Sequence, residues 1–148
     1  MPIEGPGHID MVVDVLAFHR KFGCAIGRFP AVPVPSLIQL RRDLIDEEHG
    51  ELGRAVEKKS VPDVADAIVD LIYVTIGKAI VWGIDIRPIW RAVQRANMAK
   101  EGGGKRADGK ILKPPGWQPP EVEGLIGQQI LFAKSNGGSV WIPQEQTM

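Results

Sequence analysis

Apolar residues at Met11, Val12, Val15, Leu16, Phe18 and Phe22 recur at helical spacing, so the pattern predicts an amphipathic helix over residues 8–22, ended by Gly23. Three prolines fall within 30–35 and cannot continue a helix. They predict an extended connector, with Ser36 as N-cap of a long second helix over 37–59. Ser60 and Pro62 mark a break and a restart, giving a third helix over 62–82, with Gly83 as its C′ residue. Asp85 as N-cap and Pro88 in the first turn predict a fourth helix reaching residue 100. From Glu101 the composition turns to Gly, Pro and Lys, which reads as a loop laid over the domain. A short helix fits 121–134, and 139–142 are either a short strand or irregular. The chain is thus expected to be all-α, a four-helix bundle-like domain over 1–120 with a Gly/Pro-rich C-terminal tail over 121–148.

With 148 residues the chain fits one domain able to bury roughly 68–70 % of its unfolded surface. The 18 basic and 18 acidic residues cancel, so net charge gives no sign of a nucleic-acid or membrane partner. The most apolar run, 71–84, contains Lys78 and falls short of the ~20 residues of a membrane span, so it predicts a buried helix. A single cysteine, Cys24, and an N-terminus lacking the regions of a signal peptide point to the cytoplasm.

Against this background the acids stand out. Leu37, Leu40 and Leu44 define the core stripe of the second helix, and its continuation reaches Glu48, Glu51 and Ala55. Residues three apart on a helix have Cβ atoms about 5–6 Å from each other, so Glu48 and Glu51 can aim at one point, with Glu47 at the edge of reach. On the third helix Asp63, Asp66 and Asp70 share one face of a segment apolar on its other sides, which marks a buried helix. If the two faces meet, the crowded carboxylates need a cation, since burying an unpaired charge costs several kcal/mol. Oxygen ligands without sulfur or imidazole suit Mg²⁺ or Mn²⁺. The competing reading makes both acid stripes solvated faces. A di-iron bundle would need Glu-x-x-His pairs, and His49 directly follows Glu48.

The segments Glu47-Glu48-His49-Gly50-Glu51 and Asp63-Val64-Ala65-Asp66, with Asp70 one turn on, resemble the E-E-x-x-E and E-x-x-D marks of the MazG-like superfamily of all-α nucleotide pyrophosphohydrolases. The likeness continues through 66–73, Gly77, Asn97-Met98-Ala99-Lys100 and 108–113, covering residues 8–120. Asp63 departs from it, standing where the family has glutamate. The resemblance implies a Mg²⁺ site, with Mn²⁺ able to substitute, held by Glu48, Glu51, Asp63, Asp66 and Asp70, with Glu47, Glu48, Glu51, Asp66 and Asp70 as catalytic residues. It implies a homo-oligomer, a tetramer by analogy, and water attack on the α-phosphorus of a nucleoside triphosphate. Within the superfamily the chain is most similar to the short phage proteins called MazZ, associated with (d)GTP removal.

Asn97, Lys100 and Lys113 are the candidate contacts to the outer phosphates, with helix-dipole complementation and solvation as the alternative for such lysines. The glycine run lacks Walker spacing. By the resemblance, Asp14, Phe18, Gln39 and Arg42 are candidates near the base. His8, His19 and His49 have no ligand spacing and read as surface or packing residues, and the four tryptophans as core or interface, with Trp117 in the loop open to either that or base stacking. The non-enzymatic alternative is a small helical protein binding nucleic acid through 100–113.

Overall fold

The computed structural model describes residues 7–142. Five helices follow in order, α1 (Met11–Phe22), α2 (Pro35–Glu57), α3 (Val61–Val81), α4 (Ile86–Met98) and α5 (Val122–Ser135), with no strand among the described residues. The caps explain most boundaries. Asp10 accepts from the N–H groups of Val12 and Val13, Ser60 from Asp63 and Asp85 from Arg87, and Gly23 closes α1 in the left-handed region at φ 66°. Two expectations fail here. Residues 8–10 precede α1, because Asp10 turns its carboxylate onto the first turn and so starts the helix. Ser36 is not a cap: α2 begins at Pro35, whose fixed φ suits the first helical position, and its N-cap Val34 makes no side-chain bond.

The core joins Val12, Val15 and Leu16 of α1 to Ile76 and Ile80 of α3, Ala133 of α5, and Val140 and Trp141 beyond it. The segment after α5 therefore belongs to the core, and no strand forms at 139–142. Its hold is specific. The Trp141 indole donates to the Gly27 carbonyl at 2.7 Å, the Val140 N–H to Arg28 at 2.7 Å, and the Gly27 N–H to Ile80 at 2.9 Å. A side chain on Gly27 would collide with the backbone of Val81 and Gly83, so the connector lies directly on the end of α3. Gln129 of α5 bonds both the N–H and the carbonyl of Asp85, which fixes the start of α4.

Arg87 ties α4 to α1 by pairing with Asp85 at 2.9 Å and with Asp10 at 2.8 Å. Burial alone would push the Asp10 carboxyl up, but the Val13 N–H and the Arg87 guanidinium hold it below the ordinary aspartate value. A depressed carboxylate contributes stability that is present above its unfolded pKa and lost as pH falls through the folded one. Asp10→Asn should cost about 1–2 kcal/mol at neutral pH, since the pair keeps some contact with water, and should flatten the acid limb of the stability profile. Urea titrations at neutral and acid pH test this. Equal loss at both would show that the charge is idle.

Helices α2 and α3 form an antiparallel pair and make the most extensive helix–helix contact of the chain, while α1 crosses α3 and α4 rests on α5. Arg41 meets Gly77 at one end of the seam and Glu48 meets Asp70 two turns along. The expected stripe on α2 needs correction. Leu40 is 48 % exposed and the fully buried residues are Arg41 and Ala55. Nor is α3 buried all round, since Ile68, Val69 and Ile72 are exposed. Among the described residues no single helix is long and apolar enough to cross a membrane.

Candidate functional site

On the seam, carboxylate oxygens of Glu48, Glu51 and Asp70 lie within 4.8 Å of one another. One Glu48 oxygen, Oε2, is buried and has no hydrogen-bond partner. Burial pushes the Glu48 carboxyl up, and the negative charges of Glu51, Asp70, Glu47 and Asp66 push it further. A buried acceptor facing further negative charge is an arrangement that a cation relieves. Two oxygens bound to one Mg²⁺ at about 2.1 Å lie at most ~4.2 Å apart, so only a small closure separates this cluster from an all-oxygen coordination sphere. The donors fit the metal that the sequence implies.

Asp63 and Asp66 are not part of that tight cluster. Both are exposed and line an adjacent cavity of about 260 Å³ together with Glu51, Arg54, Ala55, Lys58 and Ala67. Glu51 is thus shared between two carboxylate groups, Glu48 with Asp70 on one side and Asp63 with Asp66 on the other. Asp63 is two turns from Asp70 on α3, whereas Asp66 is one turn away and its charge still acts on Glu48, so the alignment of α2 with α3 sets which aspartate meets Glu48. Glu47 is exposed, and its charge acts on Glu48.

Other candidates are distributed over the surface. Asn97, Lys100 and Lys113 stand at the end of α4 and in the loop beyond it rather than on the seam, and both lysine ammoniums lie over the ring of Trp117. Arg42 is exposed and makes a 3.8 Å pair with Asp46, and Gln39 donates to Asp43. Phe18, 42 % exposed, packs edge-on against Tyr73 at 5.5 Å and beside Phe22 at 4.7 Å. Tyr73 follows Asp70 by one turn, and its hydroxyl is pushed up by burial, then by the charge of Asp14. Asp14, Phe18 and Tyr73 are therefore neighbours where α1 crosses α3, with Tyr73 one turn along α3 from Asp70.

Arg41 is the residue that the sequence pattern conceals. The residue is 7 % exposed, and its guanidinium donates to the Val74 carbonyl at 3.2 Å and leaves Nε without a partner. It occupies the space left by the missing side chain of Gly77, beside the Nε2 of buried His19. Nδ1 of His19 donates to the Ala25 carbonyl at 2.9 Å, and burial, reinforced by the Arg41 charge, pushes the imidazole below its ordinary value. The signal was the spacing of seven that puts Arg41 on the face of Glu48, matched by the same spacing from Asp70 to Gly77.

The sequence pattern of one family, Phosphoribosyl-ATP pyrophosphohydrolase, matches residues 15–97, more than half of the chain. The chain belongs to this family. The phosphoribosyl-ATP pyrophosphohydrolase family is an all-α family of the MazG-like kind, and the match spans every carboxylate of the seam together with Arg41 and Gly77. A stretch of 52 residues is 42 % identical to an uncharacterized protein of Acanthamoeba polyphaga mimivirus. That stretch covers 35 % of this chain, which spans about a fifth of the relative's length, 21 %. Lys100, Lys113, Trp117 and α5 lie beyond the family match.

Proposed function

We propose that the protein is a Mg²⁺-dependent nucleoside triphosphate pyrophosphohydrolase that converts dGTP or GTP to the monophosphate and pyrophosphate. The observation that carries this reading is the buried, unpartnered Glu48 oxygen facing Glu51 and Asp70 inside the stretch that matches a pyrophosphohydrolase family. Glu48, Glu51 and Asp70 hold the ion, with Asp63 and Asp66 on the far side of Glu51. Bound there, Mg²⁺ supplies an acidified water and neutralises charge on the phosphate oxygens. A water oxygen attacks the α-phosphorus and gives its proton to a carboxylate. The bond from the α-phosphorus to the bridging oxygen breaks, and pyrophosphate leaves with that oxygen.

Asn97, Lys100 and Lys113 serve the outer phosphates. The Phe18–Tyr73 pair serves the base, where Asp14 can accept from the N–H groups that guanine presents, and Arg42 lies on α2 near its start. Homo-oligomerisation is supported by exposed Ile68, Val69 and Ile72 on α3 and exposed Trp90 and Val93 on α4, apolar residues that a second copy can cover, and the tetramer follows the family analogy.

The test is to incubate the protein with Mg²⁺ and each common ribo- and deoxyribonucleoside triphosphate, with phosphoribosyl-ATP in parallel, and to separate the products by ion exchange. Monophosphate and pyrophosphate, formed fastest from dGTP, are expected. Cleavage of phosphoribosyl-ATP alone would replace the substrate and keep the chemistry. Salt-dependent DNA binding without hydrolysis would favour the nucleic-acid alternative.

A further inference from the structure

Lys100 closes the end of α4 and Lys113 belongs to the loop thirteen positions later, yet their ammonium groups lie 5.5 Å and 4.8 Å from the ring of one tryptophan, Trp117. Among the described residues neither lysine pairs with a carboxylate. Two like charges on one ring repel, so the arrangement needs a partner that favours it, and the negative face of the indole is such a partner.

The ring itself is fixed. Its N–H donates to the Ala96 carbonyl at 2.7 Å, one of the carbonyls at the end of α4 that lose their intrahelical donor, since the Lys100 N–H turns to Asn97 instead. The loop is fixed as well. Leu112 bonds Gly104 at 3.0 Å, Arg106 bonds Lys110 at 2.8 Å, and a side chain on Gly103 would collide with the Leu112 carbonyl, so Lys113 is carried back onto the end of α4 by close backbone packing. The backbone N–H of Trp117, donating to the Pro114 carbonyl at 3.1 Å, completes the turn that presents the indole.

We propose that Trp117 is a positioning residue that holds Lys100 and Lys113 as a two-ammonium clamp for an oligophosphate, such as a free di- or triphosphate or the outer phosphates of a nucleotide. This rests on the reading of the two lysines as phosphate contacts and adds the residue that presets them. An ammonium on a ring face keeps N–H donors directed away from it, and two such groups held by one indole offer donors to a ligand that carries several negative phosphates. The clamp is built from residues outside the carboxylate seam, so it binds its anion without a metal.

The experiment uses the full chain in EDTA, where the carboxylates repel anions, and inorganic tripolyphosphate as the probe. Lysines are labelled as ¹³C-dimethyl groups, which keep their charge, and followed by NMR beside calorimetry. The wild type should show ring-current-shifted resonances for Lys100 and Lys113 that move on titration. Trp117→Leu should abolish the shift and weaken tripolyphosphate binding about tenfold, whereas Trp117→Phe, which keeps an aromatic face, should stay within about threefold of wild type. Binding read in EDTA, with a probe that carries no nucleoside, separates the clamp from the hydrolytic reading. Wild-type affinity in Trp117→Leu, or no ring-current shift in the unaltered protein, would overturn the proposal. So would tripolyphosphate affinity unaffected by Lys100→Ala with Lys113→Ala, or a DNA oligonucleotide outcompeting tripolyphosphate at those lysines.

Discussion

Glu48→Gln is expected to raise the melting temperature of the metal-free protein while lowering turnover roughly a thousandfold, the scale of several kcal/mol of lost transition-state stabilisation. The two effects oppose because the same carboxylate is a liability without a cation and a ligand with one. Its Oε2 is buried without a partner, and Glu51, Asp70, Glu47 and Asp66 all act against its charge. An amide of the same shape removes the repulsion, and each kcal/mol so recovered is worth roughly 2–4 °C or more at this chain length. Adding Mg²⁺ should reverse the order. A ligand at a hundred times its Kd stabilises the native state by about 2.7 kcal/mol, a gain open to the wild type and largely closed to the variant. Thermal melts in EDTA and in Mg²⁺ check both halves. A variant less stable than wild type in EDTA, with an unchanged response to Mg²⁺, would make Glu48 an ordinary surface acid.

Gly77→Val should be among the most destabilising substitutions, costing about 3 kcal/mol or more in urea titrations. A Cβ on Gly77 overlaps the Arg41 guanidinium and comes within 3.1 Å of His19 Nε2. Arg41 is 7 % exposed, so its charge cannot move into water without opening the seam. Gly77→Ala sets two effects against each other, because replacing a mid-helix glycine gains up to ~1 kcal/mol of propensity while overpacking costs about 1–3. Net destabilisation is expected, and removing the obstacle in Gly77→Ala with Arg41→Ala should cost less than the sum of the single changes. An alanine variant more stable than wild type would show that Arg41 moves aside freely.

How much of this was legible depends on whether the signal was local. Ser60 and Asp85 announce their helices because a cap is a contact between residues two or three apart, and the acid stripes were visible as interruptions of an apolar face. The convergence of Glu48, Glu51 and Asp70 followed from spacing on each helix, but the exclusion of Asp63 and Asp66 from that point depends on how α2 and α3 align, which periodicity alone does not encode. Arg41 was hidden for a related reason. A lone arginine beside a leucine stripe reads as solvated, and only the missing side chain of Gly77, on another helix, makes room to bury it. Neighbouring Arg42, the candidate near the base, points to solvent. Val140 and Trp141 showed no period because hydrogen bonds to Gly27 and Arg28, rather than a helical face, bring them into the core.

The central claim, water attack on the α-phosphorus at the carboxylate seam, is tested most directly by hydrolysis in ¹⁸O-labelled water with Mg²⁺ and dGTP, followed by mass spectrometry of both products. One ¹⁸O should enter the nucleoside monophosphate and none the pyrophosphate. Label in pyrophosphate, or release of diphosphate with labelled orthophosphate, would place the attack on an outer phosphorus and contradict the account.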